Sequence, residues 1–328
     1  MTSKQDRLIA AIAGQVADRP PVALWRHFPV DDQDPDLLAS ATAAFQQTYD
    51  FDFVKVTPAS SFCLLDWGAE DAWRGKPEGT RTYTRRVIQQ PEDWRRLKPL
   101  DPTRGALKAQ LRCLQLLGQT FGDEVPLVQT IFSPLAQAKN LSGGEILLEH
   151  LRQYPDEVET GLRVIQESTI AFVEAAKQER IAGIFYAIQH ASHEIMDPDT
   201  YARFGEAYDL GILEVAQDLW LNVLHLHGGG LMFDLVERLP YHVVNWHDRD
   251  VGPNLAEARG SVRGAVCGGL HRERTLVLGD PASVRSEAQD ALQSMEGRGV
   301  ILGAGCVVPV LAPRANLMAA VQAAKDFA

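Results

Sequence analysis

Several features are missing from this chain, and each absence excludes a class of protein. No stretch approaches 18 uninterrupted apolar residues, the length that would mark a membrane-crossing helix, so a membrane span is not expected. There is no basic run either. Acidic residues outnumber basic ones 43 to 32, for a formal net charge of −11, and a chain without a positive patch lacks the electrostatic footprint that draws a phosphate backbone. Nucleic acid is therefore not expected as a partner. Cysteine is scarce: Cys63, Cys113, Cys267 and Cys306 lie far apart in 328 residues. That usage reads as reduced thiols in a cytoplasmic protein, not as a disulfide framework. The first 16 residues lack a basic start, a continuous apolar stretch and a cleavage site, so they are not read as a secretory signal. Two catalytic signatures are absent as well. Trp25-Arg26-His27-Phe28-Pro29, after the first β-rich run, contains no glycine and cannot be a dinucleotide loop. His227-Gly228-Gly229-Gly230 resembles the oxyanion loop of esterases, but no Gly-x-Ser-x-Gly elbow accompanies it.

What is present is an alternation. Eight short β-rich runs recur: Val22–Trp25, Phe51–Val56, Pro126–Ile131, Ala182–Ile188, Asn222–His225, His242–Trp246, Val262–Cys267 and Gly299–Gly303. Most are continuously apolar, as strands covered on both faces of a parallel sheet must be. Amphipathic stretches separate them, among them Pro35–Tyr49, Leu107–Phe121, Pro155–Glu179, Pro281–Glu296 and Pro313–Phe327. No Gly/Ser-rich or Pro-rich linker divides the chain. The count predicts an α/β fold, a (β/α)8 TIM-like barrel forming a single domain over 1–328, with an open doubly wound sheet as the alternative. Residues 66–96 interrupt the alternation, and the period-2 character of Thr80–Gln89 predicts a β-hairpin insertion after strand two.

In such a barrel the chemistry gathers where strands end. Read that way, the first strand delivers Arg26 and His27, the second Lys55, and the fourth Gln189. The fifth delivers His225 and His227, the sixth Asn245 and His247, the seventh His271 and Arg272, and the eighth Cys306. Seven of nine histidines fall at this end, which suits metal binding or proton transfer. His225 and His227, two apart, share one face of an extended strand. With Cys306 they offer two imidazoles and a thiolate, donors that Zn²⁺ favours. The same residues also fit a hydrogen-bonded core histidine beside a small buried cysteine. Arg26, Lys55 and Arg272 are expected to concentrate positive field for an anionic small-molecule substrate.

Four motifs, in order across nearly the whole chain, carry a resemblance. Arg19-Pro-Pro-Val-Ala-Leu-Trp-Arg26 resembles an R-P-P-V-W-x-M-R segment, and Ile131-Phe-Ser-Pro-Leu135 with Gly143 a strand-three motif. Met196-Asp-Pro-Asp-Thr-Tyr-Ala-Arg-Phe204 is similar to L-S-P-E-E-Y-x-x-F. Gly303–Pro309 followed by Pro313-Arg-Ala-Asn316 is similar to a glycine-rich turn and a P-x-E-N helix start. Together they resemble the uroporphyrinogen decarboxylase superfamily, which implies a distorted (β/α)8 barrel and, by analogy, a homodimer.

That resemblance implies two chemistries. For decarboxylation of uroporphyrinogen, Arg26 matches the first of the family's arginines. The second has no counterpart in Arg26-His27-Phe28-Pro29-Val30-Asp31, and Val56-Thr57-Pro58 stands where the family has F-S-D. Without that aspartate the pyrrole N–H donors lose their acceptor. The zinc methyltransferase branch passes a methyl group from a methylated corrinoid, often on a partner protein, to a thiol. It implies a strand-five H-x-C and a C-terminal cysteine; here His225-x-His227 and Cys306 stand in those places. The reading is thus zinc-dependent methyl transfer, with His225, His227 and Cys306 as ligands and His247 or Asn245 as a further ligand or substrate contact. Arg26 joins these two in the catalytic group, and Arg26, His27, Lys55, Gln189 and Arg272 would meet substrate. The alternatives are a decarboxylase of uroporphyrinogen or another carboxylated substrate, and a non-catalytic binder of a corrinoid or tetrapyrrole.

Overall fold

The structure, a computed structural model, describes residues 2–327; Met1 and Ala328, the two ends of the expected 1–328 span, lie outside it. Among the described residues no helix is long and apolar enough to cross a membrane.

The runs rich in Val, Ile and Leu become parallel strands because both their faces are covered. β1 (Val54–Val56), β4 (Leu127–Phe132), β5 (Gly183–Ile188), β6 (Val223–Leu226), β7 (Val243–Trp246), β8 (Ala265–Leu270) and β9 (Val300–Ala304) are buried at every position. They pair in the order β1-β4-β5-β6-β7-β8-β9, all parallel, in one curled sheet. Helices return the chain between them, several started by a side-chain cap on the first free N–H groups. Asp34 accepts from Asp36 and Leu37, Ser133 from Ala136, and Asp280 from Ser283. A proline follows each of these caps, where its missing N–H costs nothing.

One expected strand is not a strand. Val22–Trp25 makes a single parallel bridge, Val22 to Leu302. Its donors explain why. Pro20 and Pro21 have no N–H, and the Val22 N–H is spent on the buried Asp52 carboxylate at 2.7 Å, which Arg7 and Arg19 also hold. The segment still lies between the two edge strands. Ala23 N–H donates to Leu302 at 2.9 Å, while Asp52 N–H, leading into β1, donates to the Val22 carbonyl at 2.8 Å.

In the segment after β1, an antiparallel pair forms between β2 (Glu70–Ala72) and β3 (Thr82–Arg85), with an irregularity at Glu70/Asp71. The loop joining these two strands reaches over the C-terminal ends of the sheet. Pro77 accepts from Val310 N–H at 2.8 Å, and Gly79 lies so close to His27 that a Cβ there would come within 2.6 Å of the histidine's own.

Candidate active site

β6, β7 and β9 place four metal-ligating side chains around one point. His225 lies on β6, His227 and His247 just beyond the ends of β6 and β7, and Cys306 just beyond β9. The donor atoms of the four lie within 4.8 Å of one another. His225 Nε2 is 3.4 Å from His227 Nδ1, and His247 Nε2 is 3.3 Å from the same atom. Cys306 Sγ is 3.8 Å from His225 Nε2 and 3.7 Å from His227 Nδ1. A tetrahedron with zinc–nitrogen bonds near 2.05 Å and a zinc–sulfur bond near 2.3 Å has edges of about 3.3 Å between nitrogens and about 3.6 Å from nitrogen to sulfur. The donor set, three imidazoles and one thiol, and these spacings fit a zinc-sized ion.

The tautomer of His225 is set by the sheet. In the parallel register His225 stands beside Asn245, and Asn245 beside Cys267. The Asn245 amide NH₂ donates to the Cys267 carbonyl at 2.8 Å and the Ala304 carbonyl at 3.0 Å. Carbonyls only accept, so the other end of the amide must be the oxygen, and it lies 2.7 Å from His225 Nδ1. His225 therefore carries its proton on Nδ1 and turns the Nε2 lone pair toward the cluster. Gly305 allows Cys306 to approach. A Cβ at Gly305 would stand 2.6 Å from His247 Cα and 2.7 Å from the Trp246 carbonyl oxygen.

Electrostatics separates Cys306 from the other thiols. Burial pushes Cys63 and Cys113 up to about 12. Burial acts on Cys306 in the same direction, but its contacts with His225, His227 and His247 outweigh it and hold the thiol well below 9. Burial lowers His225. It opposes charge on His247 as well, yet the hydrogen bond to Cys306 leaves that imidazole raised.

The cluster opens onto a cavity of about 490 Å³ roofed by the β2–β3 loop. His27, Lys55, Gln189 and Arg272, all expected to meet substrate, line it. Burial brings His27 down to about 4 and Lys55 down to about 7. The Lys55 ammonium lies 4.5 Å from the Phe185 ring centroid and 5.9 Å from that of Trp25, and its one hydrogen bond goes to Thr57 Oγ1 at 3.3 Å.

Two expectations need correction. Arg26 does not line the cavity. Its guanidinium sits over the Phe28 and Phe45 rings, at 5.2 and 5.7 Å from their centroids, and its nearest acceptor is the Val310 carbonyl at 3.5 Å. The side chain is half-buried against these rings, away from the cavity. Asn245 is neither ligand nor substrate contact: it is fully buried, and both ends of its amide are engaged. Of the seven histidines expected at this end, only His225, His227 and His247 converge; His271 pairs instead with Asp250 at 2.8 Å. Arg86 and Lys139, which no motif marked, line the cavity too.

Comparison with known proteins shows the family. Residues 3–327 match the family model described as uroporphyrinogen decarboxylase (URO-D). The chain is 24% identical over 245 residues to the methylcobamide:CoM methyltransferase MtbA of Methanosarcina mazei, covering 73% of this chain and 70% of that protein. It is 23% identical over 353 residues to the methylcobamide:CoM methyltransferase MtaA of Methanosarcina barkeri, covering 98% and 97%. A solved methyltransferase structure from Methanosarcina mazei shares the fold, with a TM-score of 0.87 at 19% identity over 100% of this chain and 99% of that one.

Proposed function

Because this chain belongs to the uroporphyrinogen decarboxylase family, and its relatives in Methanosarcina are methylcobamide:CoM methyltransferases, we propose that it is a methyltransferase. It would act as one domain, moving a methyl group from a methylated corrinoid to a thiol or similar acceptor at a zinc centre. The observation that carries this reading is the convergence of the His225, His227, His247 and Cys306 donor atoms to within 4.8 Å of one another.

When bound, Zn²⁺ would supply Lewis acidity that lowers the pKa of an acceptor thiol. The protein's own groups do the rest. Asn245 keeps the Nε2 lone pair of His225 aimed inward. Contact with the three imidazoles favours the thiolate of Cys306, the form that ligates metal. His225, His227, His247 and Cys306 would hold the ion between them. His225 is the imidazole most firmly held, through Asn245, while the far nitrogen of His247 faces the Asp250 carboxylate at 3.6 Å. Lys55, poised near neutrality in the same cavity, can hold a proton at Nζ. The β2–β3 loop covers the cavity and limits water.

The test is a metal inventory of untagged protein, paired with an assay of thiol-dependent demethylation of methylcobalamin read by cobalamin absorbance. One equivalent of zinc with thiol-dependent turnover is expected. Protein that arrives without metal and takes up no Zn²⁺ would remove the mechanism, and conversion of uroporphyrinogen would return the decarboxylase reading.

A further inference from the structure

His247 borders two open spaces. It lines the main cavity and also a second one of about 300 Å³, whose wall includes Asp250 and His271. The more open space a ring borders, the less packing fixes it, and the more its orientation rests on its polar edges. The inner nitrogen, Nε2, belongs to the cluster, 3.3 Å from His227 Nδ1. The outer nitrogen, Nδ1, lies 3.6 Å from Asp250 Oδ2. That distance is too long for a hydrogen bond, but close enough for charge to act. A carboxylate repels a ring lone pair and attracts an N–H, so Asp250 favours a proton on Nδ1 and leaves Nε2 free to ligate.

Asp250 is itself held, through a series of contacts that ends in backbone. The N–H groups of Asp250 and Val251 both donate to the His247 carbonyl at 2.9 Å, which folds Asp250 back beside the ring it follows. Its second oxygen, Oδ1, is 2.8 Å from His271 Nε2. The tautomer of His271 follows from its other edge, where the N–H groups of Glu273 and Arg274 donate to Nδ1 at 3.2 and 2.9 Å. A nitrogen that accepts carries no proton, so the proton is on Nε2 and points at Asp250. The His271 backbone N–H donates to the Glu287 carboxylate at 2.9 Å, tying the segment after β8 to the helix Pro281–Ser294. Arg272, the adjacent cation, is paired with Glu78 and Glu273, which leaves the Asp250 carboxylate to the two imidazoles. The three side chains come from the loops that follow β7 and β8, neighbours in the sheet.

We propose that Asp250 and His271 are positioning residues for the metal centre: His271 fixes the Asp250 carboxylate, and Asp250 sets the His247 ring with Nε2 toward the cluster. Neither is a ligand; each acts through His247. This role rests on the reading above for the ion at the cluster, whereas the order of the three side chains does not.

Two measurements on the full chain test it. The first is Zn²⁺ affinity by chelator competition, arranged as double-mutant cycles. Asp250→Ala should weaken Zn²⁺ binding about tenfold or more, the usual effect of removing a partner that orients a ligand. His271→Ala should weaken it by a smaller factor, and Asp250→Asn, which keeps an acceptor for His271 but drops the charge, should fall between. In a His247→Ala background none of the three should cost anything further. A merely structural role would give the same loss with or without His247, and that result, or wild-type affinity in Asp250→Ala, overturns the proposal. The second measurement is ¹⁵N-correlated NMR of the histidine rings in metal-stripped wild-type protein, which needs no metal. His247 should carry a proton on Nδ1 and His271 should not; a bare His247 Nδ1 or a protonated His271 Nδ1 overturns the arrangement. If the protein takes up no Zn²⁺ but the ring signals are as expected, the zinc reading falls and the orientation of His247 by Asp250 stands.

Discussion

Asn245 and His225 stand side by side in the register of β7 and β6, and His225 Nδ1–H donates to the Asn245 amide oxygen at 2.7 Å. The amide cannot flip, because its NH₂ is committed to two backbone carbonyls. A residue that does not line the cavity thus sets the orientation of His225.

Asn245→Leu should therefore weaken metal binding by about 10–100-fold, the usual effect of removing the partner that orients a ligand. Chelator competition measures it. An unchanged affinity in a folded variant would show that Asn245 serves packing alone.

The four donors should not be equivalent. His225→Ala and Cys306→Ser are each expected to lose most of the bound zinc, whereas His227→Ala and His247→Ala, whose rings lack so fixed a partner, should retain more of it with weakened affinity. Elemental analysis after dialysis distinguishes them, and equal loss in all four would contradict the firmer hold on His225.

Gly305→Ala should disturb the centre without touching a donor atom. The added Cβ meets backbone, His247 Cα at 2.6 Å and the Trp246 oxygen at 2.7 Å, so the β9 terminus must shift and move Cys306. A loss of about 1–3 kcal/mol in stability, with zinc affinity falling alongside, is expected. Denaturant melts of loaded and stripped protein separate the two effects.

Lys55 gives a pH signature. Its folded pKa is brought from 10.5 down to about 7 by burial, so between those values the unfolded chain holds a proton that the folded one does not. Stability then rises with pH across that window, and the burial penalty is fully present below about 7. Lys55→Met should raise the melting temperature of metal-free protein most at pH 6–7, and the gain should shrink toward pH 10. A gain independent of pH would mean the amine is not buried as a titrating group.

Arg26→Met should leave ligand binding in the cavity unchanged. The side chain stacks on Phe28 and Phe45, so only a modest stability change is expected. A tenfold loss of acceptor-thiol affinity in a calorimetric titration would place Arg26 back at the site.

The parallel strands were legible because burial on both faces leaves a continuous apolar run, a signal that needs no knowledge of neighbours. β4 and β5 show it most clearly. Val22–Trp25 carries the same apolar signal, yet it forms no regular strand. What stops it is the loss of donors to two prolines and to Asp52, 30 residues away, and a hydropathy pattern does not register that loss.

Residue type and spacing along the chain determined which groups could ligate metal: two imidazoles on one strand face and one cysteine at a glycine-rich turn, and with them the family resemblance. Only the closing of the sheet decided that His247 joins them, that Asn245 is spent on the backbone, that Arg26 turns away, and that Arg86 and Lys139 face the same cavity. The reason is physical. Chemistry capable of binding an ion is a property of single side chains, but convergence depends on strand register, on where carbonyls already claim donors, and on which loops cross the mouth. All three are set by contacts between residues tens to hundreds of positions apart.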